Sequence, residues 1–303
     1  MDFKKTRVLG LAAALTTVTI WAVFLLGTRF AVQGNFTVEE IVLMRLLPGA
    51  LIMSPFMCRL GVWPRGQSIP RAAMLMVGAS AVFPFVVSKG LSYAPASDGG
   101  ALAPGMLPFW TALAAYALAG EIPGQRRWYG LTMILAGAFV VSLWQIFAGA
   151  HDGAWRGHLM FLAGSGLWGI YSVIFRQSGL SSLHALVIGL FWGTLLFVPL
   201  LLASGKVSFE SANLQDIAVM IIFQSFVIGI LAMFLFGYAV RIIGAAEAAA
   251  FGALTPIFAL LGGAYFLAET ITTFKVLGVA LVAGGVFLAS GVTRNSDHLS
   301  SQE

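Results

Sequence analysis

The chain has one cysteine, Cys58, four histidines and only 10% charged residues among 303. A single cysteine excludes an internal disulfide framework and a CxxC metal site. So little charge excludes a soluble globule, in which Asp, Glu, Lys and Arg make up about a quarter of the residues. P-loop, HExxH and GxSxG runs are absent, and His151, His158, His184 and His298 are spread over loops, span starts and tail. No metal centre, no cofactor and no enzyme chemistry is therefore expected. The run Gly164-Ser-Gly166-Leu-Trp-Gly169 satisfies GxGxxG. A nucleotide fingerprint needs a preceding strand and a following acid in a soluble unit, whereas this run lies inside an apolar segment and reads as close helix packing. The net charge of +5 and pI of 9.6 come from basic residues scattered singly between apolar segments. That pattern argues against nucleic acid and for charge that orients a membrane protein.

What the chain has is apolar sequence: 59% hydrophobic residues and a mean hydropathy of +0.92. Long apolar runs fall at roughly 7–32, 37–58, 71–91, 97–119, 127–148, 157–177, 182–203, 214–240, 245–268 and 272–291. At about 20 residues per crossing, ten spans consume about two thirds of the chain and leave no room for a soluble domain. The first run begins like a secretory signal, Lys4-Lys5-Thr-Arg7 and then apolar residues, but continues to about Val32 and is read as a retained helix. With the N-terminus inside, the inner side collects Lys4, Lys5, Arg7, Arg59, Arg65, Arg71, Arg126, Arg127, Arg176, Arg241 and Arg294. The outer side holds Arg29, Lys89, Arg156, Lys206 and Lys275, while Arg45 lies within the second span. This bias places both termini in the cytoplasm. Trp63, Trp128 and Trp155 fall near span ends, as interfacial belt residues.

The pattern also reads twice. Pro108, Glu121, Gly130, Gly137, Phe139 and Ser142 recur 148 positions later as Pro256, Glu269, Gly278, Gly285, Phe287 and Ser290. Gly10, Trp21 and Arg29 recur at a spacing of 147 as Gly157, Trp168 and Arg176. The expected architecture is all-α: ten transmembrane helices in two five-helix repeats, 1–150 and 151–303, the latter with a short polar tail. Five spans per half force the halves to be inverted, the arrangement that supports alternating access around a site between them.

The candidate site follows from polar and aromatic residues at mid-depth. Trp21 and Trp168 are repeat-matched, with Thr17 and Thr28, or Ser165 and Ser172, at helical spacing beside them. Each helix then offers a face with an aromatic plate and hydroxyls, suited to a solute with an apolar body and a small polar head. Core tryptophans satisfied by neighbouring helices are the alternative. Trp110 and Trp192 read as packing or lipid-facing. Ser80, Ser88 and Gln224 are further polar candidates, although Gln224 equally suits an interhelical hydrogen bond. Arg45 is assigned to carbonyl ends or a carboxylate, while Lys89 snorkels. Asp98, Glu247, Glu121 and Glu269 read as helix N-terminal carboxylates or caps. Pro104, Gly105 and Pro108 in the fourth span, and Pro256 in the ninth, mark flexure, since a buried proline frees a carbonyl. No buried carboxylate or histidine pair emerges as a proton relay.

Trp21 and Arg45, then Leu91-Ser92-Tyr93-Ala94 through Pro108 to Glu121, Gly130 and Ala136-Gly137, form an ordered pattern. Its second copy runs from Gly237-Tyr238-Ala239 through Pro256 to Glu269, Gly278 and Gly284-Gly285. Across nearly the whole chain this resembles the drug/metabolite transporter superfamily with two EamA-type repeats, and within it the YddG-like exporters of amino acids and related metabolites. The repeats are uneven: Phe191-Trp192-Gly193 stands where the second half would mirror Arg45. The resemblance implies a central cavity lined by both halves and export of small organic solutes across the bacterial inner membrane. Expected partners are the solute, membrane lipid and protons as a coupling ion. Rival readings are a membrane-embedded enzyme acting on lipids, which wants several mid-membrane Asp, Glu or His residues, and other cargo such as drugs, quaternary amines or nucleotide sugars. Phosphate-ester cargo would want a Lys and Arg cluster.

Overall fold

The structure, a computed structural model, describes residues 3–147 and 153–291. His151, Arg294, His298 and the proposed boundary between the halves at 150 and 151 lie outside the described residues. Every regular element described is helical: α1 (Phe3–Gln33), α2 (Val38–Leu60), α3 (Ile69–Ala73), α4 (Phe83–Tyr93), α5 (Ala96–Leu102), α6 (Leu107–Ala119) and α7 (Gln125–Phe147), then α8 (Ala154–Ser178), α9 (Ser182–Ala203), α10 (Leu214–Ile221), α11 (Ala232–Ile243), α12 (Ala245–Phe251), α13 (Leu254–Leu267) and α14 (Thr273–Ser290). Nine spans among the described residues are long and apolar enough to cross a bilayer, and α7 is a tenth helix of comparable length. Large apolar side chains cover the outside: Phe30, Phe139, Tyr265 and Phe266 are each more than 60% exposed. Lipid, as apolar as those side chains, accommodates a surface that would aggregate in water.

Two departures from plain helices were not expected from the hydrophobic runs. The third span joins α3 to α4 through a π-helical stretch, Met74–Val82, and the eighth joins α10 to α11 through another, Ile222–Leu231. The two stretches begin 148 positions apart, so the distortion is itself repeated. Wide π turns cost hydrogen-bond geometry and persist chiefly at functional sites. The fourth span is broken between α5 and α6, across Ala103, Pro104, Gly105 and Met106, and the ninth between α12 and α13, at Gly252 and Ala253. Pro108 and Pro256 sit in the first turns of α6 and α13, where a missing N–H costs nothing. The breaks therefore precede these prolines.

The halves interlock with their order exchanged. Helix α1 packs on α11 and α13 of the other half, as α8 packs on α4 and α6, while α7 crosses α14 and α2 crosses α9. Glycines fix the α7–α14 crossing. A Cβ on Gly137 would lie 2.5 Å from the Gly278 carbonyl oxygen, and one on Gly285 would lie 2.6 Å from that of Gly130. Gly130 meets Gly285 as Gly278 meets Gly137, so the repeat partners touch in opposite chain directions. This is the antiparallel duplication expected from sequence. The end of the bundle where α1 starts is termed the near face, and the end where it stops the far face.

Candidate functional site

Between the halves lies a cavity of about 570 Å³. Its walls come from the first to fourth and the sixth to tenth spans, with both π stretches contributing, and its mouth includes Arg127, Ala245, Ala246 and Ser290 at the near face. Two aromatic walls face each other across the repeat. Trp21 of α1 tilts against Phe236 of α11 with ring centroids 5.3 Å apart, and Trp168 of α8 tilts against Phe83 of α4 at 4.7 Å. Tyr171 continues the second wall, 5.7 Å from Trp168. Among the described residues neither Trp21 nor Trp168 has a protein partner for its indole N–H, so both donors are left for water or a solute.

Of the residues expected at the site, Trp21, Trp168, Arg45, Ser80, Ser165, Pro104 and Pro108 line the cavity. Arg45 rests over the Phe24 ring, 5.4 Å from its centroid. Its helix is pinned there because the Ser225 hydroxyl donates to the carbonyls of Met44 (2.7 Å) and Arg45 (3.0 Å). Ser165 donates to the Ala103 carbonyl at 2.7 Å, one of the groups released by the break in the fourth span. Thr17, Ser172, Gln224, Gly105 and Pro256 do not line the cavity. The reasons are local. Thr17 and Ser172 donate back to the carbonyls of Ala13 and Trp168, four residues earlier, the standard outlet for a hydroxyl inside a helix. Gln224 is fully buried and donates to the Thr28 hydroxyl at 3.1 Å, tying the eighth span to the first. Ser88 is buried. Trp192 donates to the Val62 carbonyl, and Trp110 lies against Gly166 and Gly169, so the GxGxxG run serves helix packing.

A buried ionic cluster missed by the sequence reading closes the far face. Asp98, in the first turn of α5, is fully buried; its Oδ2 lies 2.9 Å from His158 Nε2 of α8 and its Oδ1 3.0 Å from Lys275 Nζ of α14. Lys275 also donates to the Ser97 hydroxyl at 3.0 Å. Glu269 does not cap its own following helix, which Thr272 does; it reaches into the other half and accepts from the Ala96 and Ser97 N–H groups at 2.6 and 3.0 Å. Arg29 donates to the Leu91 carbonyl. Asp98 and His158 thus form the buried carboxylate–histidine pair that had been taken as absent. They are 60 residues apart and Lys275 is 177 residues beyond Asp98, so no local motif announces them.

The near face holds the repeat counterparts in a different arrangement. Arg176 matches Arg29, Glu121 matches Glu269 and Arg127 matches Lys275. There Glu121 pairs with Arg176 at 2.5 Å, with both side chains about half exposed, and the start of α12, counterpart of α5, receives no side-chain cap. Arg7 and Glu247 pair at 3.1 Å, also in contact with solvent. Packing shows the same asymmetry. At the far face α5 packs along α13, and α1 along α4 and α5, whereas α12 with α6, and α8 with α11 and α12, make no comparable contact. The cavity is sealed on the far side and open on the near side. Exposed pairs contribute about 0.2–1 kcal/mol each. Arg176→Ala is therefore expected to change unfolding stability by less than about 1 kcal/mol, read from an unfolding titration in mixed micelles.

Comparison with known proteins supports this architecture. A solved crystal structure of a protein at 19% identity superposes with a TM-score of 0.60 over 97% of this chain and 99% of that chain, which establishes likeness of fold. No curated protein matches the chain. The model of the EamA-like transporter family matches residues 8–143 and again residues 155–291. Two family matches in tandem, on ten interlocked helices around a shared cavity, make this chain a multi-pass membrane transporter that belongs to the EamA-like transporter family.

Proposed function

We propose that the protein exports amino acids, aromatic ones included, and related amphipathic metabolites across a bacterial inner membrane by alternating access, in the manner of the YddG-like exporters it resembles. One observation carries the reading: a cavity shared by both halves is shut at one face by charged residues whose repeat counterparts stand apart at the other. Exchanging the roles of the halves would let Glu121 reach the start of α12 while Glu269 releases α5, opening the far face and closing the near one. Basic residues at the near face, from Arg59 to Arg241, support taking that face as cytoplasmic, so the present state loads cargo from inside. Trp21 and Trp168 form the cargo's aromatic contacts, with Ser80, Ser165 and Arg45 as polar partners. Pro104 and Pro108 let the fourth span bend, as the Gly252–Ala253 break does the ninth. Protons are the coupling ion in this reading.

Proteoliposomes loaded with a panel of amino acids, sugars and quaternary amines test this, with and without a proton gradient. Transport of aromatic amino acids is expected to fall about tenfold in Trp21→Ala and in Trp168→Ala, as loss of a buried aromatic contact worth about 1.4 kcal/mol beyond area would give. Full transport by both variants would remove the tryptophans from the site, and a preference for sugars would remove the proposed cargo.

A further inference from the structure

Resting on the export reading above, the geometry points to a cargo of net negative charge: a carboxylate on an aromatic or branched apolar body, selected by Arg45. Among the residues lining the cavity there are two arginines, Arg45 at depth and Arg127 at the mouth, and no Asp or Glu. The acidic groups are already committed: Asp98 to His158 and Lys275, Glu269 to the start of α5, and on Arg45's own helix the buried Glu39 to Lys206 and Glu40 to the N–H groups of Thr37, Ser208 and Phe209, while Glu121 and Glu247 pair with Arg176 and Arg7 near the surface. Arg45 forms no ion pair among the described residues, and its Nη1 is buried without a hydrogen-bond partner. A guanidinium on the cavity wall with no counter-charge and one N–H-bearing nitrogen unpartnered is a donor site that an anion in the cavity satisfies.

The remaining polar groups agree. Among the described residues the indole N–H groups of Trp21 and Trp168, both on the cavity wall, have no protein acceptor, and the Thr255 hydroxyl is buried and unpartnered. Ser80, Ser165 and Ser225 have spent their protons on main-chain carbonyls and offer only neutral acceptor oxygens. A carboxylate accepts hydrogen bonds and matches the donors; an ammonium donates and finds no charged acceptor. The aromatic walls would attract an organic cation, but at close range the unopposed guanidinium opposes it more strongly than ring faces favour it. The order of preference is therefore anion, then zwitterion, then cation. A dianionic phosphate ester fits less well, because the second arginine stands at the mouth.

Three probes share one phenyl body and differ in charge: phenylpyruvate, phenylalanine and phenethylamine. Binding to the purified full-length protein is read from tryptophan fluorescence, and transport from proteoliposomes. Phenylpyruvate is expected to bind most tightly and phenethylamine least. Arg45→Gln weakens phenylpyruvate about thirtyfold or more, the low end for removing one partner of a buried charge pair, and compresses the order of the three. Arg45→Lys retains the order with reduced affinity, which keeps the test decisive if Arg45→Gln does not fold. Tightest binding of phenethylamine, or unchanged phenylpyruvate binding in Arg45→Gln, overturns the charge assignment alone, because transport of any of the three still upholds an exporter of amphipathic solutes. If none of the three binds or is transported, both the charge assignment and the cargo class fall.

Discussion

Lys275→Met is expected to destabilise the protein by about 3–5 kcal/mol, the cost of leaving a buried charge without its partner. Asp98 is fully enclosed, and with Lys275 gone its Oδ1 loses the ammonium 3.0 Å away. The Ser97 hydroxyl loses its donor as well. Because these contacts join α5, α8 and α14 only when the far face is shut, the variant also shifts the population toward a far-open state and slows loading from the near side. The double variant Asp98→Asn/Lys275→Met removes both charges and is expected to recover most of the lost stability, since the neutral amide still bonds His158. Unfolding in mixed micelles measures both. Equal destabilisation in the single and double variants would mean that packing, rather than charge compensation, holds the seal.

Gly137→Leu is expected to have the largest effect on folding, abolishing monodisperse protein. The α7–α14 crossing brings backbone to within the reach of a single Cβ, 2.5 Å from the Gly278 carbonyl oxygen and 2.8 Å from the Val282 main-chain nitrogen. Neither side can yield as a flexible side-chain tip would. Overpacking ordinarily costs about 1–3 kcal/mol, and a whole isobutyl group at a main-chain contact exceeds that. Gly237→Ala is the contrast: its Cβ meets nothing within 4 Å on α11, so helix propensity makes it neutral or stabilising by up to about 1 kcal/mol. Size-exclusion profiles of the two variants separate these outcomes.

The repeat made the architecture legible. Gly130, Gly137, Gly278 and Gly285, singled out by register alone, turn out to be the residues where the two halves touch. Span ends expected at 37–58 or 182–203 lie within about two residues of the helices that form, because lipid solvation gives a long apolar run little choice but helix. Trp21 and Trp168 were singled out by their repeat match and reach the cavity, whereas Trp110 and Trp192, also at mid-depth, pack against Gly166 and Gly169 or bond the Val62 carbonyl. The fate of small hydroxyl residues was not legible. Thr17 and Ser165 look alike in sequence, yet one bonds back to its own helix and the other to the broken fourth span. The π stretches were invisible, since a shift from four-residue to five-residue bonding leaves hydrophobicity unchanged. The far-face cluster joins residues from three spans, and only the 148-residue match of Arg127 to Lys275 hinted that these cations hold corresponding positions.

Alternating access is tested most directly by paired distances at the two faces. With Cys58 replaced by serine, spin labels at Ile122 and Arg241 report on the near mouth, and labels at Thr270, the repeat counterpart of Ile122, and at Ser92 report on the far seal; all four sites are exposed. Pulsed dipolar spectroscopy in lipid nanodiscs, with and without phenylalanine, is expected to show the near distance shortening in a subpopulation while the far distance lengthens in the same proportion. Distances that both stay fixed, or that change in the same direction, would contradict a cavity served from each face in turn.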